Sequence, residues 1–239
     1  MKTVWITGGG SGIGKALALS FAADGWDVAI SGRTAMRLRE VQSLSSKIRI
    51  IVCDITKELE IQAALKEIGP VDVAILNAGN YRPEPTINIS IKEHQDIFAV
   101  NYFGTLKCIH ALIPEMKKRG GRLAIVASLA GYRGLPNASA YGPSKAALIQ
   151  LAESLRAELQ NTRLQIQLIN PGFVKSALTE KNDFEMPFLM KADDAAKRIR
   201  RGLEKNNFEI AFPSPLVRRM KLLRMLPYSL YFYLTRKMI

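Results

Sequence analysis

Short apolar stretches alternate along the chain with longer segments of helical spacing. Residues 4–7, 27–31, 48–53, 71–76, 122–128, 164–169 and 208–212 are rich in aliphatic and β-branched side chains. Several run apolar without alternation, the pattern of strands covered on both faces. Between them, residues 15–23, 35–45, 57–68, 91 to about 118, 138–160 and 193–206 carry helical patterns. Thr34, Thr56 and Ser90 stand where N-caps belong, and Glu93, three residues after Ser90, makes a capping box. Strand and helix in strict succession predict an α/β fold: a doubly wound, mostly parallel sheet with helices on both faces and right-handed crossovers. In such sheets ligands collect at the carboxyl ends of the strands.

Composition narrows the class. At 239 residues the chain fits one α/β domain, and 48% apolar against 23% charged residues argues against disorder. No repeat, linker or low-complexity segment divides it. We expect a domain over 1–212, including an apolar lid at about 173–191, and a basic, aromatic extension over 213–239. The chain opens on a strand with no charged-then-apolar leader, and no apolar run reaches the length of a membrane span. The expectation is therefore a cytoplasmic protein whose C-terminal stretch is its candidate contact with a membrane periphery. Cys53 and Cys108 read as reduced core thiols. Two cysteines with His94 and His110 in one helical pattern support no metal site. The net charge of +13 admits nucleic acid, anionic lipid or an anionic substrate, so its location must decide.

The first strand runs into Thr7-Gly8-Gly9-Gly10-Ser11-Gly12-Ile13-Gly14, and a helical pattern follows. Strand, glycine-dense turn and helix together form an anion-binding device. Glycine allows sharp turns and close backbone approach, and the N–H groups of a helix start point at a phosphate. The expected ligand is a dinucleotide pyrophosphate held by Gly8, Ser11, Gly12, Ile13 and Gly14. After the second strand comes Ser31-Gly32-Arg33-Thr34, with no Asp or Glu to grip a ribose 2′-hydroxyl. Arg33 can pair with a 2′-phosphate, which favours NADP(H) over NAD(H); otherwise it is an exposed arginine at a helix start. Asp54 can accept from an adenine amino group or merely form a turn before Thr56. Asn77-Ala78-Gly79 permits close backbone approach or is simply a turn.

Ser128 ends the fifth strand, and Tyr141-Gly-Pro-Ser-Lys145 follows thirteen residues later. Tyr141 and Lys145, four apart, share one helix face, and Pro143 places them in the first turn. A phenol titrates near ~10. A nearby ammonium and a helix N-terminus are expected to lower that value, so that Tyr141 exchanges a proton with a carbonyl or alcohol oxygen. Ser128 can hydrogen-bond the same oxygen. As an isolated pair, Tyr and Lys at this spacing would be ordinary surface residues.

Together, Thr7–Gly14, Asn77-Ala78-Gly79, Asn101, Ser128, Tyr141-x-x-x-Lys145 and Pro171-Gly172 resemble the short-chain dehydrogenase/reductase family, in its order and spacing from residue 3 to about 212. The resemblance implies a Rossmann-type sheet of about seven strands and hydride transfer with a nicotinamide cofactor. It implies Tyr141 as acid/base, Ser128 as carbonyl orienter, Lys145 as the group that lowers the tyrosine pKa and binds the nicotinamide ribose, and Asn101 as holder of a relay water. Asp54 and Ile55 match the adenine position. Pro171, Gly172, Val174 and Ser176 match the segment that meets the carboxamide. It also implies a homodimer or homotetramer paired through two long helices. Two positions depart: the family often has a second asparagine where Leu76 stands and a threonine where Ser176 stands. The alternative is a catalytically silent NADP-binding regulator or scaffold.

Residues 173–190 supply Phe173, Val174, Leu178, Phe184, Met186, Phe188 and Leu189, suited to a lipophilic ketone, aldehyde or secondary alcohol, or else to packing on the core. From residue 210 onward the chain has Arg218, Arg219, Lys221, Arg224, Arg236 and Lys237 and no acid. This tail reads as a helix over a subunit interface or the substrate pocket, or as a peripheral membrane foot. Pro213, Pro215 and Pro227 interrupt any long amphipathic helix and favour the former. The stretch has no recognition-motif setting, so nucleic acid is not expected.

Overall fold

The computed structural model describes residues 1–83, 89–181 and 183–236. Asn182 of the expected lid and Lys237 of the basic tail lie outside the described residues. The order is β1 Thr3–Thr7, α1 Gly12–Ala23, β2 Asp27–Gly32, α2 Ala35–Gln42, β3 Ile48–Val52, α3 Glu58–Ile68, β4 Val73–Leu76 and α4 Ile91–Phe98. A π-helical turn, Ala99–Gly104, leads into α5 Thr105–Arg119, then β5 Gly121–Val126 and α6 Tyr141–Leu159. The chain ends with β6 Leu164–Pro171, α7 Ala192–Glu204, β7 Glu209–Phe212, α8 Ser214–Met225 and α9 Tyr228–Thr235. The seven strands form one sheet in the order β3-β2-β1-β4-β5-β6-β7, every pairing parallel.

The apolar strands split by the two-residue period. Trp5, Ala74 and Leu76 face one core with Ile61 of α3, Ile109 and Leu112 of α5, and Leu148 of α6. Val4, Ile6, Val73 and Ile75 face the other with Leu17 and Phe21 of α1, Leu38 of α2 and Ile199 of α7. Each such side chain taken from water stabilises the fold by about 1.5–3 kcal/mol. Cys53 and Cys108 are buried free thiols; burial pushes Cys53 up to about 11.

Some local expectations change. The Ser90 hydroxyl accepts from the Glu93 N–H, as a cap should, while the Glu93 carboxylate meets Arg82. Thr34 holds the cap position of α2 without a side-chain capping bond, and Lys57 rather than Thr56 precedes α3. The Thr56 hydroxyl instead donates to Asp54 Oδ1 at 2.8 Å. The helix expected from 91 to 118 is interrupted by the π turn, where Asn101 turns inward and Gly104 packs on Ile55. The helical run Ile91–Arg119 is long enough, and apolar enough on average, to cross a membrane, although no unbroken apolar stretch of that length occurs in it. Its buried Cys108, Ile109, Leu112 and Met116 pack on the sheet as a core helix does.

Candidate active site

The glycine turn sits between the carboxyl end of β1 and the start of α1, tied to both neighbouring strands. Gly8 and Gly9 N–H donate to the Ser31 carbonyl at 2.8 and 3.1 Å. Asn77 Nδ2 donates to the Thr7 and Gly8 carbonyls at 3.1 and 3.2 Å, and the Thr7 hydroxyl accepts from Asn77 and Ala78 N–H. A Cβ on Gly14 would stand 2.2 Å from the Gly8 carbonyl oxygen, so only glycine lets α1 seat on the turn. Gly12 has φ +52°, and a Cβ there would come within 3.2 Å of Ser176 Cβ. The Gly12 and Ser176 positions, 164 residues apart in sequence, thus face one another. Ser11 precedes α1 without capping it, and the first turn of α1 holds no acid. Its N–H groups are left for an outside anion, and a diphosphate is the kind of group such a turn could hold.

Arg33 and Asp54 follow β2 and β3 and lie close enough for the guanidinium to act on the carboxylate. Burial alone would raise Asp54; hydrogen bonds from Thr56 and the charges of Arg33 and Lys57 overcome it and hold the carboxyl below its ordinary value. Asp54 Oδ1 accepts the Thr56 N–H and O–H at 2.9 and 2.8 Å, the turn that was one of its two readings. The Ile55 side chain is buried against Gly104.

The catalytic candidates converge between β5 and α6. Ser128 follows β5; its Oγ accepts the Ala130 N–H at 3.1 Å, donates to the Pro171 carbonyl at 3.5 Å, and lies close enough to Tyr141 to act on its hydroxyl. Tyr141 opens α6, one turn before Lys145, as the spacing predicts. Lys145 is 3% exposed, donates to the Val126 carbonyl at 2.9 Å, and holds Nζ 5.7 Å from the Tyr141 ring centroid. The expected lowering of the phenol pKa does not prevail. Burial pushes Tyr141 up to about 12, with the neighbouring Ser128 hydroxyl pulling the other way. Burial also lowers Lys145 to about 8. Desolvation disfavours whichever form is charged, so it keeps the phenol protonated and eases the proton off the amine.

Asn101 is fully buried in the π turn. Its Oδ1 accepts the Asn80 N–H at 2.6 Å, and its Nδ2 donates to the Asn80 carbonyl and to Ser144 Oγ, both at 3.0 Å. Ser144 in turn donates to the Tyr141 carbonyl at 2.7 Å. Asn101, expected to hold a relay water, thus braces the segment after β4, α6 and the π turn, the kind of irregularity helices carry at functional sites. Gly79 fits beneath: a Cβ there would lie 3.3 Å from Asn101 Oδ1 and 3.6 Å from Lys145 Nζ.

Pro171 ends β6, and the Gly172 N–H donates to the Phe212 carbonyl at 2.7 Å. Val174 is buried and bridges to Met190, so residues 174–190 leave and return as one loop. Within it Phe173 meets Phe184 edge to face, and Arg219 of α8 lies 5.2 Å from the Phe188 ring. Thr179, which sequence reasoning passed over, ties the loop's start: its hydroxyl bonds the Val174 and Ser176 carbonyls and the Ser176 N–H. Tyr81, Asn80 and Ser144 were also missed. Their adjacency to Asn77–Gly79 and their place inside Tyr-x-x-x-Lys were the available signals. Behind the Ser128 turn, Tyr132, Asn170 and Lys221 converge on Glu209. A cleft of about 590 Å³ lies away from all this, at the amino ends of the strands. Its lining mixes Arg122, Arg163 and Arg200 with Asp24, Asp72 and Glu204, and it holds none of the candidate site residues. Among the described residues no group of three or more His, Cys, Asp or Glu is placed to hold a metal ion.

The family described as short chain dehydrogenase matches residues 2–186. An uncharacterized oxidoreductase of Myxococcus xanthus is 35% identical over 239 residues, spanning 96% of this chain and 94% of its own. Among solved structures, a short chain dehydrogenase from Burkholderia cenocepacia in complex with NADP superposes with a TM-score of 0.87 at 24% identity, covering 98% of this chain and 99% of its own. One from Burkholderia phymatum in complex with NAD gives 0.83 at 21% identity, covering 92% of each. The chain belongs to the short-chain dehydrogenase family, and the curated relative it matches over nearly its whole length is described as an oxidoreductase.

Proposed function

We propose that the protein is an NADP(H)-dependent oxidoreductase that interconverts a lipophilic ketone or aldehyde and its alcohol. The observation that carries this reading is the meeting of Ser128, after β5, with Tyr141 and buried Lys145 one turn apart at the start of α6, where Lys145 Nζ lies 5.7 Å from the Tyr141 ring centroid. The cofactor, when bound, supplies or accepts the hydride at nicotinamide C4. Gly8, Ser11, Gly12, Ile13 and Gly14 hold its diphosphate, Arg33 its 2′-phosphate, and Asp54 and the Ile55 backbone its adenine. Asn77, Ala78 and Gly79 allow its close approach, and Pro171, Gly172, Val174 and Ser176 face the carboxamide. Lys145 reaches the ribose.

In reduction, the carbonyl carbon takes the hydride and the oxygen takes the Tyr141 proton while Ser128 hydrogen-bonds that oxygen. A phenol held protonated across neutral pH is a ready donor. The phenolate left behind is stabilised by Lys145, which at about 8 still keeps most of its charge at neutral pH. Asn101 and Ser144 are positioning residues that fix the first turn of α6. The lid rings Phe173 and Phe184 give the substrate side an apolar wall. A homodimer or homotetramer through α5 and α6 suits the exposed Phe103 at the head of α5.

The test is consumption of NADPH and NADH, side by side, over a panel of ketones and aldehydes, with binding of each cofactor measured in parallel. The expected result is turnover with a preference for NADPH. Tight binding without turnover across the panel would support a silent regulator instead, and a preference for NADH would remove the assignment of Arg33.

A further inference from the structure

The prolines of the tail do split it, but its two helices end differently. In α8, Leu216 and Met220 are buried in the core beside the sheet. In α9 the buried positions are Tyr231 and Thr235, one turn apart. The Tyr231 hydroxyl meets the Gly134 carbonyl, and the Arg133 guanidinium lies over the rings of Tyr228 and Tyr231. The other large side chains of the helix point away. Leu222 and Met225 at the end of α8, and Tyr228, Leu230, Phe232, Tyr233 and Leu234 in α9, are between 41% and 75% exposed. Scattered single exposures are ordinary; a run of seven within thirteen residues of one helical corner marks an interaction surface.

Charge says what covers it. From residue 210 to the end there is no Asp or Glu. Lys221 is held by Glu209. Among the described residues no carboxylate pairs with Arg218, Arg219, Arg224 or Arg236. Arg236 lies over the Tyr233 ring at 4.5 Å. A second copy docking through the same face would set these arginines against their own images. A convex helix with protruding rings offers no groove to a protein side chain, whereas acyl chains and headgroups close around protruding rings, with aromatics at headgroup depth and arginines toward lipid phosphate.

We infer that α9 and the adjoining end of α8 dock the protein on an anionic lipid surface. The surface is coupled to the site at two points. Arg133 and Gly134 belong to the segment joining Ser128 to Tyr141, and Arg219 of α8 lies against Phe188 of the lid. Docking brings the substrate side to the phase in which a lipophilic carbonyl dissolves; this last clause rests on the function proposed above, whereas the docking itself does not.

The test uses the full chain and two vesicle preparations, phosphatidylcholine alone and phosphatidylcholine with phosphatidylglycerol. The expected result is sedimentation with the anionic vesicles and not the neutral ones, weakened by high salt. Arg218→Ala with Arg236→Ala should lower partitioning ~25-fold, at a factor of ~5 per cation. Phe232→Ser with Leu234→Ser should abolish sedimentation. All four side chains are solvent-exposed and outside the catalytic machinery, so turnover of a water-soluble carbonyl should be unchanged in both variants. An unaltered chain that stays in the supernatant with anionic vesicles overturns the inference whether or not either variant folds. Equal sedimentation by the Phe232/Leu234 variant overturns it too. A concentration-dependent dimer seen by sedimentation velocity, lost in that variant and formed without vesicle binding, would assign the face to a second copy. Inactivity toward every carbonyl with vesicle binding intact would sink the enzyme reading and leave the docking surface standing.

Discussion

The rings of Tyr81 and Tyr141 meet edge to face, centroids 4.8 Å apart and planes at 77°. Tyr81 comes from the segment after β4 and Tyr141 from the start of α6, so the contact joins two arms of the site. Such a pair contributes ~0.5–1.5 kcal/mol beyond area burial. Tyr81→Ala should lower kcat ~3- to 10-fold by loosening the Tyr141 ring, on the same energy scale. Tyr81→Phe, which keeps the ring, should restore most of the rate. Steady-state kinetics on the best carbonyl of the panel decide it; equal loss in both variants would shift the role to the Tyr81 hydroxyl.

Tyr141→Phe keeps the ring packing and removes the proton. Turnover should fall ~10²- to 10⁴-fold, while the NADPH dissociation constant should change little, because the glycine cradle is untouched. Near-normal turnover in this variant would show that another group moves the proton.

Lys145 links the site to pH-dependent stability. Its folded pKa of about 8 lies below the unfolded value of 10.5. Below about 8 both states carry the proton, and the buried charge opposes folding in full. Between these values the unfolded chain binds more protons, so stability rises with pH. Compared with Lys145→Met, the unaltered protein should gain about 2 kcal/mol from neutral pH to about pH 10. Tyr141 acts in the opposite sense only above its unfolded value of 10.0, where the folded state holds the extra proton. Urea denaturation of both proteins at several pH values measures the difference; a flat difference would mean that the amine is solvated.

Gly14→Ala should be disruptive, because its Cβ would meet a backbone oxygen at 2.2 Å that no rotamer change can move. The expected loss is about 1–3 kcal/mol of stability, together with weakened binding of either nicotinamide cofactor. Gly134→Ala is the control: nothing lies within 4 Å of its Cβ position. Thermal melts with and without NADPH compare them, and a Gly14→Ala protein that melts and binds like the parent would contradict the packing of α1 on the turn.

What could be read in the chain itself was whatever local pattern encodes. Apolar runs and helical spacing placed each strand of β1–β7 within a few residues, because a strand covered on both faces must be apolar throughout. Tyr141 and Lys145 could be put on one helix face, and Gly8, Gly12 and Gly14 in one turn, because those relations span a single turn of chain. Caps were less legible. Thr34 and Thr56 have the right side chains, yet Thr34 makes no capping bond and Thr56 bonds Asp54 instead.

Tertiary structure alone decided the relations that depend on chain segments meeting from a distance. The partners of Asn101 were set only where the π turn lays it between Asn80 and Ser144. The opposite pulls on Tyr141 and Lys145 come from burial, which no spacing reveals; charge proximity alone pointed the wrong way for the phenol. The tail's composition was the same for a core helix and for a surface one. Only packing separated α8, anchored by Leu216 and Met220, from α9, whose rings face outward, because what a side chain does is set by how much water its neighbours leave around it.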